Sequence, residues 1–143
     1  GQLLGWDLDA DGSALPILQA EIGGFIKMEG KEVFRRAVRI MVDSAEKSMA
    51  HAGVTGDDIK LVVPHQANIR IIQAACDRLG ISIERAAVVI QRTGNTSSAS
   101  IPLALADALE HGKVEHGDLI LLVGFGGGMT AASCVIRWGG DVE

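Results

Sequence analysis

The sequence predicts an α/β layered fold on a largely parallel sheet, and three observations carry that reading. Aliphatic runs at 61–63, 86–90 and 119–123 are continuous rather than alternating, as in strands buried on both faces. Helical patterns separate them, at 32–52, at 69–79 and across Pro102 to Leu109. Hydrophobic residues make up 48% of the 143 residues while Phe, Trp and Tyr make only 3%, so Ala, Val, Leu and Ile must fill the core. That length suffices for one domain with a sizeable core.

Taken in order, residues 3–6 suit a short strand, and the Asp- and Gly-rich 7–13 suit a turn. Residues 17–27 hold apolar side chains without a period, broken by Gly23-Gly24, and read as a loop with at most one edge strand. The segment 32–52 is the strongest helix: Val33, Phe34, Ala37, Val38, Met41, Ala45 and Met49 share one face, and Gly53 stops it. Strand 61–63 ends at Pro64, which lacks a ladder N–H. Asn68 is placed to cap a helix over 69–79 with Ile72, Ala75, Cys76 and Leu79 inward, and Gly80 ends it. Residues 82–85 form a turn before strand 86–90. In the third helix Pro102 sits in the first turn, Leu103, Ala106 and Leu109 face inward, and Gly112 is the stop. Strands 119–123 and 130–138 follow, joined by a glycine loop too short for a helical crossover, so these two are expected to pair antiparallel.

Charge and composition remove several function classes. A net charge of −5 argues against nucleic-acid binding. No apolar run is long enough for a spanning helix, and no signal peptide is visible. Cys76 and Cys134 lie in apolar runs with no CxxC and read as buried free thiols in a reducing cytosol. His51, His65, His111 and His116 are scattered, against a metal site. The chain opens at Gly1 without an initiator Met, as a processed chain or a piece of a longer one would.

Lys31, Arg35 and Arg39 repeat at i, i+4 near the start of the long helix, with Arg36 beside them. Like charges at that spacing and cations at a helix N-terminus are both unfavourable. The stripe is therefore either a docking patch for an acidic partner or a solvated face offset by Glu32.

Three loops leave strand carboxyl ends, where ligands gather in open α/β sheets. They span 64–68, 93–98 and 124–129, and offer an imidazole, a carboxamide and bare backbone N–H groups. Position alone also allows His65 to be a satisfied polar loop residue. Donors converging without a carboxylate suit a developing oxyanion or enolate. Gly124, Gly126 and Gly128 do not fit GxGxxG, because Met129 holds the last position and a strand follows. There is no G-x-S-x-G elbow. No residue of the chain looks like an activated nucleophile.

Val63-Pro64-His65-Gln66-Ala67-Asn68, Gly94-Asn95-Thr96-Ser97 and Phe125-Gly126-Gly127-Gly128, in that order and spacing, resemble the histidine, asparagine and C-terminal glycine motifs of the β-ketoacyl-acyl carrier protein synthase III family. The likeness runs over 28–138 and is poor over the first twenty-odd residues. It implies the C-terminal half of a thiolase-like fold: a mostly parallel five-stranded sheet flanked by helices, with 1–27 as linker or edge strand and 28–143 as core.

The resemblance further implies an acyltransferase of fatty acid biosynthesis that condenses acyl-CoA with malonyl-acyl carrier protein. His65 and Asn95 would be two members of a Cys-His-Asn triad whose cysteine lies in the absent first half. Gly127 would serve the acyl oxyanion, and Phe125 would lie against the cysteine pocket. Met28, Gly30, Phe34, Ala67 and Asn68 would line the coenzyme A pantetheine tunnel. Arg35, Arg36 and Arg70 would meet the acidic carrier. Asp77-Arg78 stands where the family tends to have two cations. The same likeness implies no cofactor or metal, coenzyme A thioester as substrate, a cytoplasmic homodimer, and the N-terminal half and the carrier as partners, without nucleic acid or membrane. A polyketide starter-unit ketosynthase and a non-catalytic assembly half-module are the competing expectations. Alone, such a half is expected to be inactive and to expose an apolar face.

Overall fold

The structure, a computed structural model, describes residues 1–139; positions 140–143 of the expected core lie outside the described residues. The first strand is longer than its composition predicts. β1 (Gln2–Ala10) runs through the aspartates that read as a turn, because it pairs along its length with the last strand. Asp7 and Asp9 sit 3.7 and 3.6 Å from the Lys47 ammonium, so a tertiary partner overrides their low strand propensity. Residues 2–10 thus belong to the main sheet as its edge. Gly5 is required there: a Cβ would collide with the Ser48 carbonyl oxygen and lie 2.6 Å from the Ala52 nitrogen of the helix above.

A 3-10 segment, Gly12–Ile17, leads to a hairpin of β2 (Leu18–Ala20) and β3 (Ile26–Met28), where a loop with at most one edge strand was expected. Gly23, at φ +75°, turns it. The hairpin leaves Ile22, Phe25, Ile26 and Met28 exposed.

Helix α1 (Gly30–Ala52) buries Val33, Ala37, Val38, Met41, Ala45 and Met49 against the sheet, as the spacing predicts; Phe34 is half-buried. Gly53 closes it in the left-handed region, donating to the Ala50 carbonyl. β4 (Leu61–Pro64) is wholly buried, and Pro64 is its last residue rather than the first beyond it. Helix α2 (Ile69–Leu79) starts at Asn68, whose side chain accepts the Arg70 N–H at 2.9 Å, and ends at Gly80.

The fifth strand does not form. Ala86 makes a single parallel bridge to Val62, and the Ala87 N–H donates to the Val62 carbonyl at 2.8 Å. Beyond it the chain coils into the short helix α3 (Ile90–Thr93). The Gln66 carboxamide takes the place of a ladder: its oxygen accepts from the Val89 and Ile90 N–H groups at 2.9 and 3.1 Å, and its nitrogen donates to Pro64 and Ala87 carbonyls at 2.8 and 3.0 Å.

Helix α4 (Ser100–Glu110) has its inner face one step from the expected one. Ser100, Ala104 and Ala108 are buried, while Leu103 and Ala106 are exposed and Leu109 is half-buried. Small residues let the helix lie close to the sheet, and that selects the face over bulk. β5 (Leu119–Gly126) and β6 (Thr130–Arg137) are antiparallel neighbours, as the short loop requires.

The main sheet has the order β1-β6-β5-β4. Only β4–β5 is parallel, so the mostly parallel five-stranded sheet is corrected to a mixed four-stranded one. The α/β class stands. One core lies under α1 and α2, and a second lies between α4 and the β4–β5 side. On β1, Leu3, Trp6 and Leu8 are exposed. Among the described residues no helix is long and apolar enough to cross a membrane.

Candidate active site

His65 is held by its backbone and its ring together. Its N–H donates to the Val123 carbonyl at 2.8 Å, extending the β4–β5 ladder by one bond past the proline. The imidazole stands edge-on to Phe125, with centroids 5.6 Å apart and planes at 71°. Its Nδ1 lies 2.6 Å from the Ser100 hydroxyl at the start of α4. Gly124 allows the close approach of β5, because a Cβ there would stand 3.5 Å from the His65 Cβ and 3.3 Å from the Ile101 Cδ1. Burial holds the imidazole below its ordinary pKa, which favours the neutral ring.

Asn95 is reached through Gly94, whose φ of 66° and ψ of −164° suit only glycine. The Asn95 Oδ1 accepts the Ser97 N–H at 3.0 Å in a local turn that holds Ser97 at φ 55°. The carboxamide oxygen is thereby engaged, and the NH2 group remains to donate.

His65, Asn95 and Phe125 border one cavity of about 560 Å³, together with Ile26, Ser97, Ser98, Ile101 and the facing ends of β5 and β6. No side chain on its wall is a carboxylate, lysine or arginine. The wall takes up Gly124 and Gly126 but not Gly127, which lies toward β2, where a Cβ would be 3.7 Å from the Leu18 carbonyl oxygen. The glycine loop is also shorter than the sequence suggests. Gly124 to Gly126 belong to β5, and only Gly127–Met129 forms a 3-10 turn, with Gly128 at φ 70°.

Met28, Gly30, Phe34, Ala67 and Asn68 do not border this cavity. They lie along the ends of β3 and α1 and the entry to α2, where the Arg70 guanidinium stands 5.6 Å from the centre of the Phe34 ring. The Asn68 oxygen is spent on capping α2.

The basic stripe is partly neutralised. Glu32 pairs with both Arg35 and Arg36, and Arg36 also reaches Asp11 at 3.2 Å. Hydrogen bonds from Arg36 and then Arg35 hold the Glu32 carboxyl below its usual range. Both cysteines are free. Burial and, second, Asp77 push the Cys76 thiol up to about 11, and burial raises Cys134, so neither is a ready thiolate.

The family model of the 3-Oxoacyl-[acyl-carrier-protein (ACP)] synthase III C terminal matches residues 49–138. The chain belongs to this family. The β-ketoacyl-[acyl-carrier-protein] synthase III of Natranaerobius thermophilus is 46% identical over 95% of this chain and 46% of that protein. Synthase III 2 of Deinococcus radiodurans is 52% identical over 89% of this chain and 38% of its own length. The chain therefore spans less than half of these curated relatives. Among solved structures, the 3-oxoacyl-[acyl-carrier-protein] synthase III of Aquifex aeolicus superposes with a TM-score of 0.92 at 44% identity, covering 95% of this chain and 44% of that one. The priming β-ketosynthase of the R1128 polyketide pathway gives 0.87 at 35% identity, over 96% and 45%. The fold is thiolase-like.

Two synthase III residues that shape the site, Gln66 and Ser100, carry no role in the sequence reading. Gln66 stands within the histidine motif and Ser100 three positions past the asparagine motif, but Ala87, Val89 and Ile90 lie 21–24 positions from Gln66, and His65 and Gln66 lie 34–35 positions from Ser100. A polar residue inside a buried run was the available signal.

Proposed function

We propose that this chain supplies the enolate-stabilising half of a decarboxylating condensing enzyme that joins acetyl-CoA, or a similar acyl-CoA, to malonyl-acyl carrier protein and so initiates fatty acid synthesis. What carries the reading is a neutral imidazole and a free carboxamide NH2 on one uncharged cavity wall, in a chain of this family.

In the proposed cycle a cysteine on the N-terminal half attacks the acyl-CoA carbonyl, and the coenzyme A thiol leaves. Malonyl-carrier then enters. The bond to its carboxylate breaks, carbon dioxide departs, and the electron pair moves onto the thioester oxygen as an enolate. His65 and Asn95 donate hydrogen bonds to that oxygen. A neutral ring and an amide suit this task, whereas a carboxylate would repel the charge. The enolate carbon attacks the acyl-cysteine carbonyl, and the cysteine sulfur leaves as β-ketoacyl-carrier forms. Phe125 packs the imidazole from the side, and the Gly127 backbone N–H remains the proposed donor to the acyl oxyanion, although it lies outside the wall of the chemical cavity. Met28, Gly30, Phe34, Ala67 and Asn68 remain the proposed edge of the pantetheine path, outside the chemical cavity.

The test is reconstitution. This chain is combined with one carrying the cysteine half, and β-ketoacyl-carrier formation from acetyl-CoA and malonyl-carrier is followed. Turnover that neither chain shows alone is expected. Tight association without turnover would instead identify an assembly module. A preference for other acyl-CoA starters would favour the polyketide reading, for which the likeness to the R1128 priming ketosynthase speaks.

Carrier docking is proposed at Arg35, Arg36 and Arg70. Arg36 is also tied into its own fold through Glu32 and Asp11, so exposed Arg35 is the cleaner probe. Charges at the rim of an interface act mainly on association and its salt dependence. Arg35→Glu is expected to lower kcat/KM for malonyl-carrier about two- to fivefold, the scale of one exposed ion pair. The loss should shrink with added salt while far-UV circular dichroism stays unchanged. Unaltered carrier kinetics at low salt would remove Arg35 from the surface.

A further inference from the structure

We propose that Ser100 is a positioning residue: its hydroxyl holds His65 as the tautomer protonated on Nε2, so that the ring meets the cavity as a donor. This deepens the proposed role of His65 and rests on it.

The argument is a count of protons and lone pairs. A serine hydroxyl has one proton to give and two lone pairs. Ser100 is fully buried, so water does not complete its set. Its oxygen accepts the Gln66 backbone N–H at 3.2 Å and lies 2.6 Å from His65 Nδ1. Among the described residues, Nδ1 is the one acceptor within reach of the hydroxyl proton.

If Nδ1 carried the proton, the hydroxyl would accept twice and its own proton would have no partner in a buried site. An unmade bond of that kind is costly. With the hydroxyl donating to Nδ1, all three groups are satisfied. The neutral ring then carries its proton on Nε2, the nitrogen left for the cavity that His65 lines.

The opposite tautomer would turn a lone pair toward the developing enolate oxygen. A hydrogen bond would become a repulsion, with the ring still in place. The Asn95 side chain is set by the same logic. The Ser97 N–H occupies its oxygen, so its NH2 is the group left to donate. Two residues of one loop and helix start, Ser97 and Ser100, thus orient both donors.

The experiment reads the tautomer directly. The protein is labelled with 15N-histidine, and long-range 1H–15N correlations are recorded at a pH where the ring is neutral. His65→Gln assigns the signals. The expected wild-type pattern is a pyrrole-like Nε2 and a pyridine-like Nδ1. In Ser100→Ala the two shifts should move toward each other as the tautomers mix, and Ser100→Thr, which keeps a hydroxyl, should restore the pattern. In the reconstituted enzyme Ser100→Ala should lower the condensation kcat about 10- to 100-fold, the range for groups that orient another residue.

A wild-type ring protonated on Nδ1 would overturn the proposal. So would an unchanged pattern in Ser100→Ala, or an altered pattern with unaltered kcat. If wild-type halves assemble but never condense, the functional reading fails, and the spectrum still decides what Ser100 does.

Discussion

His65→Ala in the reconstituted enzyme is expected to cut the condensation rate about 10²- to 10³-fold, the loss that follows removal of one oxyanion donor. Acyl transfer from acyl-CoA to the cysteine should survive, because the proposed role of His65 begins with the malonyl thioester. Two assays separate these steps: radiolabelled acyl loading by intact mass or gel, and carbon dioxide release from malonyl-carrier. Equal loss in both would move His65 to the cysteine and out of the enolate step. The pH profile supplies a second check. Burial lowers the imidazole pKa, so the neutral donor should persist below the usual histidine range as pH falls. Activity that already declines at neutral pH would show a ring that charges too readily to act as described.

The second large effect is on stability, at Gln66. The side chain is fully buried, and its four hydrogen bonds reach Pro64, Ala87, Val89 and Ile90. Gln66→Leu keeps most of the volume but strands the Val89 and Ile90 N–H groups and takes the donor from the Pro64 and Ala87 carbonyls. At about 1–3 kcal/mol for each buried group left unmade, a loss of about 3–5 kcal/mol is expected once some relax toward other partners. Urea unfolding followed by circular dichroism measures it. A midpoint shift worth less than about 0.5 kcal/mol, the scale of a neutral surface change, would sink the claim. Gln66→Glu should be no milder near neutral pH, because it buries an ionised carboxylate with one oxygen against the Pro64 and Ala87 carbonyls, where the amide nitrogen now donates.

These two residues also show how far the chain could be read before it was folded. Both ends of α2 and the C-terminal end of α1 were legible, because apolar spacing, the Asn68 cap and the Gly53 and Gly80 stops are local signals. The antiparallel β5–β6 pair followed from the loop length alone. The segment 86–90 misled, because a continuous aliphatic run marks burial and not extension. Here Gln66 supplies the hydrogen bonds a strand neighbour would have given. β1 misled the other way, since its aspartates are offset by Lys47, some forty positions along.

By itself the sequence determined the layered α/β class, both ends of α2, the C-terminal stop of α1 and the likeness of three motifs to the synthase III family. Those depend on neighbours in the chain, and the physics of caps, turns and periodicity is short-ranged. Only the tertiary structure decided the strand count, the mixed directions, the inner face of α4 and the meeting of His65 with Ser100. Each depends on which groups meet across the fold, and a buried polar atom takes its orientation from whatever partner is there to satisfy it.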